Sequence, residues 1–129
     1  MSWCTRFNQV EHTVRVRVPA KVNLTLGVGG TDAQGYHELS TVFQALSLFD
    51  DLAAAPAAPG EFTVSVEGEG AVFLPTDDSN LVIRAARLLA ERFGVPGAGM
   101  RMQVRKRIPV AGGMAGGSAD AAGALIACN

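Results

Sequence analysis

The chain has 129 residues, of which 48% are hydrophobic and 18% are charged, a composition typical of one globular domain and not of a disordered segment. Its formal net charge of -1 at pH 7 argues against a nucleic-acid or membrane-surface binder, because those functions need a basic surface. Cys4 and Cys128 stand near opposite ends of the chain and match no zinc or disulfide pattern, so we expect a cytoplasmic protein.

The first part of the chain predicts an extension followed by strands. Residues 1–12 show no periodicity and are predicted to be an N-terminal extension. Alternation of apolar and polar residues over 14–18 predicts a half-buried strand, and Pro19 predicts that this strand lies at a sheet edge or is broken there. Alternation resumes beyond the proline, which puts the side chains of Lys21 and Asn23 next to each other on one face.

The middle of the chain predicts further strands separated by loops. Residues 27–35 contain four glycines and are predicted to be a loop. A strand is predicted over 38–49, ending at Asp50-Asp51, followed by a Pro/Ala turn region over 53–60 and another alternating strand over 62–66. Several strands before the first helix favour an α+β fold over a doubly wound α/β fold.

The clearest regular element is a helix predicted over 80–93. Asp78 or Ser79 is predicted to be its N-cap, and Gly94 is predicted to end it. Its buried face is predicted from the helical spacing of four apolar residues, Leu81, Ala85, Leu88 and Leu89. A strand over 100–104 is predicted to follow.

The most informative segment is 108–123, in which four glycines separate a strand from an alanine-rich helix that begins near Ser118. A glycine-rich loop at a helix N-terminus presents free backbone N–H groups, and the helix dipole favours an anion there. The spacing matches neither a Walker A loop, nor a dinucleotide fingerprint, nor a nucleophile elbow. The segment predicts a phosphate site, with a close-packed strand-to-helix turn as the alternative.

Several charged and aromatic residues are candidates for a role beside this loop. Lys21 is a candidate for neutralising phosphate charge, and Asn23 for orienting a hydroxyl group. Tyr36 and His37 can stack on a ring and hydrogen-bond to it, although both are also common in ordinary loops. Asp120 would repel a phosphate, so it either points away or meets a metal ion that bridges to the phosphates. A solvated strand face is predicted for the basic run Arg101, Arg105, Lys106 and Arg107.

Four segments occur in the order seen in one family of small-molecule kinases. They are Val-Pro-Ala-Lys-Val-Asn-Leu at 18–24, Gly-Tyr-His-Glu-Leu at 35–39, Asn-Leu at 80–81 and Pro-Val-Ala-Gly-Gly-Met-Ala-Gly-Gly-Ser-Ala-Asp-Ala-Ala at 109–122. The glycine loop alone resembles the GHMP kinase superfamily. Together the segments resemble its 4-diphosphocytidyl-2-C-methyl-D-erythritol kinase family, in the actinobacterial form, over nearly all of residues 14–129.

This resemblance implies an ATP- and Mg²⁺-dependent kinase that phosphorylates the 2-hydroxyl of 4-diphosphocytidyl-2-C-methyl-D-erythritol, in the methylerythritol phosphate route to isoprenoids. It implies that Lys21 is catalytic and that Asn23 lies beside the acceptor hydroxyl. Tyr36 and His37 would recognise the cytosine ring, and Phe43 would line the same pocket. Ser118 is the implied contact to phosphate or Mg²⁺. The implied ATP-binding residues are Asn80, Lys106, Pro109, Val110, Ala111, Gly112, Gly113, Met114, Ala115, Gly116, Gly117, Ser118 and Ala119.

The resemblance also implies an incomplete domain. It makes residues 13–129 a truncated GHMP-kinase N-terminal domain (ribosomal protein S5 domain 2-like) without the C-terminal domain. The family's general base, an aspartate in a Gly-x-Asp-Val-Pro-like segment downstream of the loop, has no match in this sequence, so we expect this chain alone to be inactive. The alternatives are a non-catalytic nucleotide-binding fragment that self-associates through an uncovered face, and another GHMP kinase, such as a homoserine or mevalonate kinase. Tyr36 and His37 argue against the latter.

Overall fold

The computed structural model describes residues 12–129 as one mixed sheet covered by two helices. Cys4 and nearly all of the predicted N-terminal extension lie outside the described residues. The described elements are β1 (Val14–Thr31), β2 (His37–Pro56), β3 (Phe62–Gly68), a 3₁₀ turn (Ala71–Phe73), α1 (Leu81–Phe93), β4 (Met100–Lys106) and α2 (Gly116–Ala127). The strand order is β1-β2-β4-β3, with β3 parallel to β4 and the other pairs antiparallel. This confirms the predicted α+β class.

The strand β1 is longer than predicted and lies at the edge of the sheet. The prediction of an edge position at Pro19 is confirmed, because among residues 12–129 β1 pairs with β2 alone. A proline has no N–H to give to a second neighbour. The pairing register shifts between Pro19 and Lys21, which is a bulge and not an end of the strand. The prediction of a loop over 27–35 was wrong for residues 27–31, which continue the strand.

A tight turn joins β1 to β2. The Asp32 carboxylate accepts the backbone N–H groups of Gln34 and Tyr36 at 2.9 and 2.8 Å. Asp32 and Tyr36 also pair through their backbones, with Asp32 N–H donating to Tyr36 O at 2.8 Å. These bonds close the turn within five residues. Before the turn, Gly27 pairs with Ser40 across the hairpin, and the register shifts between Val28 and Thr31.

The strand β2 is an inner strand of the sheet, and it contains the buried residues Asp50 and Asp51. The prediction that a strand ends at Asp50 was wrong, because β2 runs on to Pro56. The predicted turn over 53–60 was also wrong for Ala53, Ala54 and Ala55, which are buried in β2. Beyond Asp50 the strand is hydrogen-bonded to β1 on one side and to β4 on the other, and this pairing holds it extended.

Both helices pack on one face of the sheet. The predicted buried face of α1 was wrong at two positions, since Leu81 and Leu88 are 45% and 63% exposed. The core is formed by buried residues of the sheet and the helices, namely Leu52, Ala54, Val64, Val82, Ile83, Ala86, Met102, Val104, Ala124 and Ala127. In α2 a Cβ at Gly123 would lie 2.7 Å from Val18 Cγ1, so this glycine lets the helix approach β1 closely.

The N-cap of α1 is Asn80 and not Asp78 or Ser79 as predicted. The Asn80 side-chain oxygen accepts the backbone N–H of Val82 at 2.9 Å, and its amide donates to Pro75 O at 2.6 Å. Ser79 instead donates to the Asp77 carboxylate. At the other end Gly94 takes the left-handed conformation with φ 57°, which confirms the predicted helix end.

We predict that Asn80→Ala lowers the free energy of unfolding by about 1.5 kcal/mol, because it removes the cap of α1 and leaves buried backbone groups unpaired. Ser79→Ala is the matched control and is expected to change the same free energy by no more than about 0.5 kcal/mol. Urea unfolding of the two variants measures both values. Equal losses in the two variants would show that Asn80 is not the cap.

Candidate functional site: a glycine loop backed by buried charges

The glycine loop connects β4 to α2 through three left-handed residues. Ala111, Gly113 and Ala115 have φ angles of 59°, 72° and 58°. The two alanines carry the strain that L-residues meet in this region, and such strain is kept only where the surroundings fix the backbone. The helix begins at Gly116, two residues before the predicted start, and its first bond runs from Ala119 N–H to Ala115 O at 2.9 Å. The N–H groups of the first turn therefore point out of the helix end.

Two adjoining cavities border this loop. The first, about 350 Å³, is lined by residues 109–118 together with Leu74, Leu81 and Lys106. The second, about 120 Å³, is mostly apolar and has Asn80, Lys106 and Asp120 in its wall. The structure thus brings Asn80 and Lys106 together with the predicted loop residues, apart from Ala119, which lies in α2 outside both cavity walls.

The strand β1 meets the loop at Lys21. The backbone N–H of Lys21 donates to Met114 O at 3.2 Å. The predicted pairing of Lys21 with Asn23 is confirmed, because Lys21 Nζ donates to Asn23 Oδ1 at 2.6 Å. Lys21 Nζ also lies 5.4 Å from the centre of the Phe43 ring on β2, within the range of a cation–π contact. The Lys21 backbone is thus bonded to the glycine loop, while its ammonium contacts Asn23 and Phe43.

A short chain of hydrogen bonds fixes Asn23. Its Nδ2 donates to Thr41 Oγ1 at 2.7 Å, and Thr41 Oγ1 in turn donates to Thr25 O at 2.7 Å. These hydrogen bonds fix the Asn23 carboxamide in one orientation, with its oxygen towards Lys21. Asn23 and Thr41 thereby set the direction of the ammonium group.

Tyr36 and His37 lie elsewhere in the structure, at the tip of the hairpin. Tyr36 is 74% exposed. The polar contacts of the His37 ring are local, with Nδ1 3.3 Å from Gly29 O and 3.5 Å from Thr31 Oγ1. Along β1, residues 22–31 separate this tip from Lys21. The structure therefore does not bring the two predicted base-recognition residues to the glycine loop.

A buried ion triad lies behind the loop. Lys106 Nζ donates to Asp50 Oδ2 and, at 2.6 Å, to Asp120 Oδ2. All three side chains are at most 5% exposed. The prediction of a solvated basic strand face was therefore wrong for Lys106, although Arg101 and Arg107 are exposed. Of the two orientations left open for Asp120, the structure shows the carboxylate turned onto Lys106.

The comparisons with known proteins agree with this geometry. The family model described as "GHMP kinases N terminal domain" matches residues 80–129, which contain α1, β4, the glycine loop and α2. A 4-diphosphocytidyl-2-C-methyl-D-erythritol kinase of Salinispora tropica is 59% identical over 116 residues, which is 90% of this chain and 36% of the relative. The chain has the fold of a GHMP-kinase N-terminal domain. It spans about a third of the length of this relative.

Solved structures support the same fold for this GHMP kinase domain. The crystal structure of a 4-(cytidine 5'-diphospho)-2C-methyl-D-erythritol kinase matches with a TM-score of 0.67 at 42% identity, over 88% of this chain and 39% of that one. A homoserine kinase from Cytophaga hutchinsonii matches with a TM-score of 0.67 at 17% identity, over 95% of this chain and 36% of that one; at that identity it shows the fold alone. Within residues 12–129, no helix of the GHMP domain is both long and apolar enough to span a bilayer.

The triad is the part of this candidate site that the sequence analysis missed, yet one signal for it was present. Met102, Val104 and Lys106 alternate along β4, and the first two belong to the core face. The same alternation places Lys106 on that face, where a charge needs partners. Asp50 and Asp120, far apart in sequence, supply them.

Burial and pairing oppose each other in the ionisation of the triad. Burial raises the pKa of Asp120 to about 6, against the opposing effect of its hydrogen bond from Lys106. Burial also lowers the pKa of Lys106, but the hydrogen bonds to Asp120 and Asp50 outweigh it and hold the pKa above its ordinary value. At neutral pH Lys106 is therefore protonated and Asp120 is mostly ionised.

We predict that Asp120 makes the stability of the GHMP domain depend on pH between about 4 and 6.5. The folded protein holds the Asp120 proton more tightly than the unfolded chain, so ionisation of this group destabilises the fold as the pH rises. The free energy of unfolding of the unmodified chain, relative to Asp120→Asn, is expected to fall by roughly 2 kcal/mol across that range. Urea unfolding at several pH values measures the difference. A difference that is constant or rises with pH would contradict the raised pKa.

Proposed function

We propose that this domain provides the ATP-phosphate loop and the catalytic lysine of a kinase that phosphorylates the 2-hydroxyl of 4-diphosphocytidyl-2-C-methyl-D-erythritol. The observation that carries the proposal is the bond from Lys21 N–H to Met114 O, because it puts the lysine strand directly against the glycine loop. The 59% identical relative carries the name of this kinase. The reaction would take place in the cytoplasm, in isoprenoid precursor synthesis.

The two adjoining cavities suit the two parts of ATP. The phosphates would lie in the larger cavity, where the backbone N–H groups of Gly116, Gly117 and Ser118 and the positive end of the α2 dipole face it. The smaller, apolar cavity beside Asn80 has the character required by a planar base. The residues proposed to bind ATP are thus Asn80 and the loop 109–119, with Lys106 behind them.

Lys21 would supply the positive charge that phosphoryl transfer requires. Such reactions depend on positioning and on stabilising charge that develops on the transferred group. The ammonium of Lys21, fixed by Asn23 and by the Phe43 ring, is a point charge aimed from the strand beside the loop. Asn23 would lie next to the acceptor hydroxyl, with Phe43 in the wall of the same pocket.

Magnesium would be bound largely through the nucleotide. Within residues 12–129 there is no cluster of three or more His, Cys, Asp or Glu side chains that could hold a metal, and the Asp120 carboxylate is engaged by Lys106. Mg²⁺ in kinases keeps few protein ligands, and the exposed Ser118 hydroxyl in the first turn of α2 fits that role. When bound, the ion neutralises charge on the phosphates.

The hairpin tip is the proposed contact for the other end of the substrate. Tyr36 offers an exposed ring for stacking, and His37 offers a ring nitrogen for hydrogen bonding to a cytosine edge. Their distance along β1 from Lys21 requires the substrate to reach from the loop towards the hairpin. A homoserine or mevalonate kinase would have no use for such a ring contact.

Activity of the 129 residues alone is a separate point. The chain spans 36% of the first relative's length, and the general base implied by the family pattern has no match in it. We propose that the chain by itself binds Mg·ATP and does not turn it over. The exposed apolar side chains of the hairpin, including Leu24, Leu26 and Val42, support the further expectation that it self-associates.

We predict that a chimera, in which residues 12–129 replace the matching part of the Salinispora tropica kinase, phosphorylates 4-diphosphocytidyl-2-C-methyl-D-erythritol with Mg·ATP. Lys21→Ala in the chimera is expected to lower kcat by about 10³-fold, because it removes a charge made for the transition state. Arg15→Ala, an exposed change on the same strand, is expected to leave kcat unchanged.

The assay follows phosphate transfer to the cytidyl substrate, to homoserine and to mevalonate in parallel. Isothermal calorimetry of the 129-residue chain measures Mg·ATP binding in the absence of acceptor. Transfer to homoserine or mevalonate instead of the cytidyl substrate would overturn the substrate assignment. Full activity of the Lys21→Ala chimera would overturn the role of the lysine.

A further inference from the structure

The N-terminal end of the glycine loop is anchored by Asp50. Its Oδ1 atom accepts the backbone N–H groups of Arg107 and Ile108 at 2.6 and 2.9 Å, immediately before the loop begins at Pro109. Its Oδ2 atom accepts from Lys106 Nζ. One fully buried carboxylate on β2 thus holds three successive residues of the chain as it leaves β4.

The C-terminal end of the loop is anchored to the same lysine. Lys106 Nζ donates to Asp120 Oδ2 at 2.6 Å, near the start of α2. The ammonium also lies directly behind the loop backbone, since a Cβ added to Gly116 would lie 3.1 Å from Nζ and 3.0 Å from Ile108 Cγ2. Lys106 therefore joins the two ends of the loop across a space too small for a side chain at Gly116.

We infer that Asp50 and Asp120 are positioning residues for the nucleotide site, which hold both ends of the glycine loop through the shared ammonium of Lys106, and that Lys106 binds no phosphate itself. The inference rests on the proposed function only for its consequence, nucleotide affinity. The clamp itself is a property of the loop without nucleotide.

Three observations distinguish a positioning role from direct phosphate binding. Lys106 is 3% exposed, so its ammonium is not accessible to solvent in the cavity. It is shared by two carboxylates, so the group as a whole carries excess negative charge and has no net attraction for a phosphate. The strained φ angles of Ala111 and Ala115 require surroundings that fix the loop at both ends.

The two roles predict opposite effects for Asp120→Asn. If Lys106 were a phosphate ligand, removing the competing carboxylate would free its ammonium and leave nucleotide affinity unchanged or higher. If Lys106 is the cation of a clamp, the charge-assisted bond at the C-terminal end of the loop weakens and the loop loses its shape. Part of the binding free energy of the nucleotide is then used to order the loop, and its affinity falls.

The experiment uses the 129-residue chain with two readouts. Hydrogen–deuterium exchange without nucleotide follows the amides of 110–118, and calorimetry follows binding of Mg·ADP. Asp120→Asn is expected to speed exchange of the loop amides and to weaken Mg·ADP binding, each by about tenfold, without changing exchange in β3. Asp51→Asn is the matched control: it removes the same charge from the neighbouring residue, whose partners are Arg17 and Arg107, and is expected to change neither.

A second variant guards against loss of folding. Lys106→Met alone leaves two buried carboxylates unpaired, which is costly. Lys106→Met combined with Asp120→Asn keeps the net charge of the buried group at its original value and leaves one buried carboxylate, Asp50, which retains its two backbone N–H donors. This double variant is expected to show the same fast loop exchange and weak Mg·ADP binding as Asp120→Asn, and not an added loss.

Loop exchange that is unchanged in Asp120→Asn would overturn the clamp. Mg·ADP binding by Asp120→Asn that equals or exceeds that of the unmodified chain, with a loss only when Lys106 is replaced, would show that Lys106 is a phosphate ligand. Absence of Mg·ADP binding by the unmodified chain would instead overturn the proposed function, while the exchange data would still decide whether the triad holds the loop.

Discussion

The buried ammonium of Lys106 is the interaction on which the candidate site depends. A charge removed from water is costly unless it is paired and hydrogen-bonded, and Lys106 meets this requirement only with carboxylates from two other elements. Asp50 comes from the central strand β2 and Asp120 from α2. The requirement therefore ties the end of β4, the middle of the sheet and the start of the last helix to one point behind the glycine loop.

The sheet brings the second functional element to the same point. The strand β1 reaches the loop with its backbone, through Lys21 N–H and Met114 O, while Gly123 allows α2 to lie close against Val18 on the same strand. These contacts place Lys21 beside the loop, and its side chain starts from this point. There its direction is set by Asn23, Thr41 and the Phe43 ring. Lys21 and the glycine loop are thus fixed relative to one another by backbone contacts.

Local signals in the sequence were sufficient for the loop, for the strand–loop–helix order and for the pairing of Lys21 with Asn23. They failed where tertiary partners decide the outcome. Asp50 and Asp51 were predicted to end a strand, because two adjacent aspartates are seldom buried. Their burial is stabilised by ion pairs with Lys106, Arg17 and Arg107 and by two backbone N–H groups that donate to Asp50. Lys106 was likewise predicted to be solvated, together with the other basic residues near it in the sequence. The basic residues alone do not show which of them faces inward, whereas the alternation of Met102, Val104 and Lys106 along β4 does.

The buried face of α1 was misjudged for a different reason. The predicted face followed the largest apolar residues, of which Leu81 and Leu88 are exposed, whereas the buried side carries Val82, Ile83 and Ala86. The rotation of the helix follows from its cap, because Asn80 is tied to Val82 and to Pro75 at once. The hairpin tip shows a further limit: sequence placed Tyr36 and His37 in a turn, but their position relative to the loop depends on the length of β1.

The most direct measurement of the central claim is an amide chemical-shift map of the ¹⁵N-labelled 129-residue chain titrated with Mg·ADP. If the loop held by Lys106 is the nucleotide cradle, the largest shifts fall on residues 112–118 and on Leu81, with smaller shifts at Lys21. Shifts confined to the hairpin tip around Tyr36, or to a separate cavity that Phe93 and Pro96 line, with the loop amides unmoved, would contradict the account.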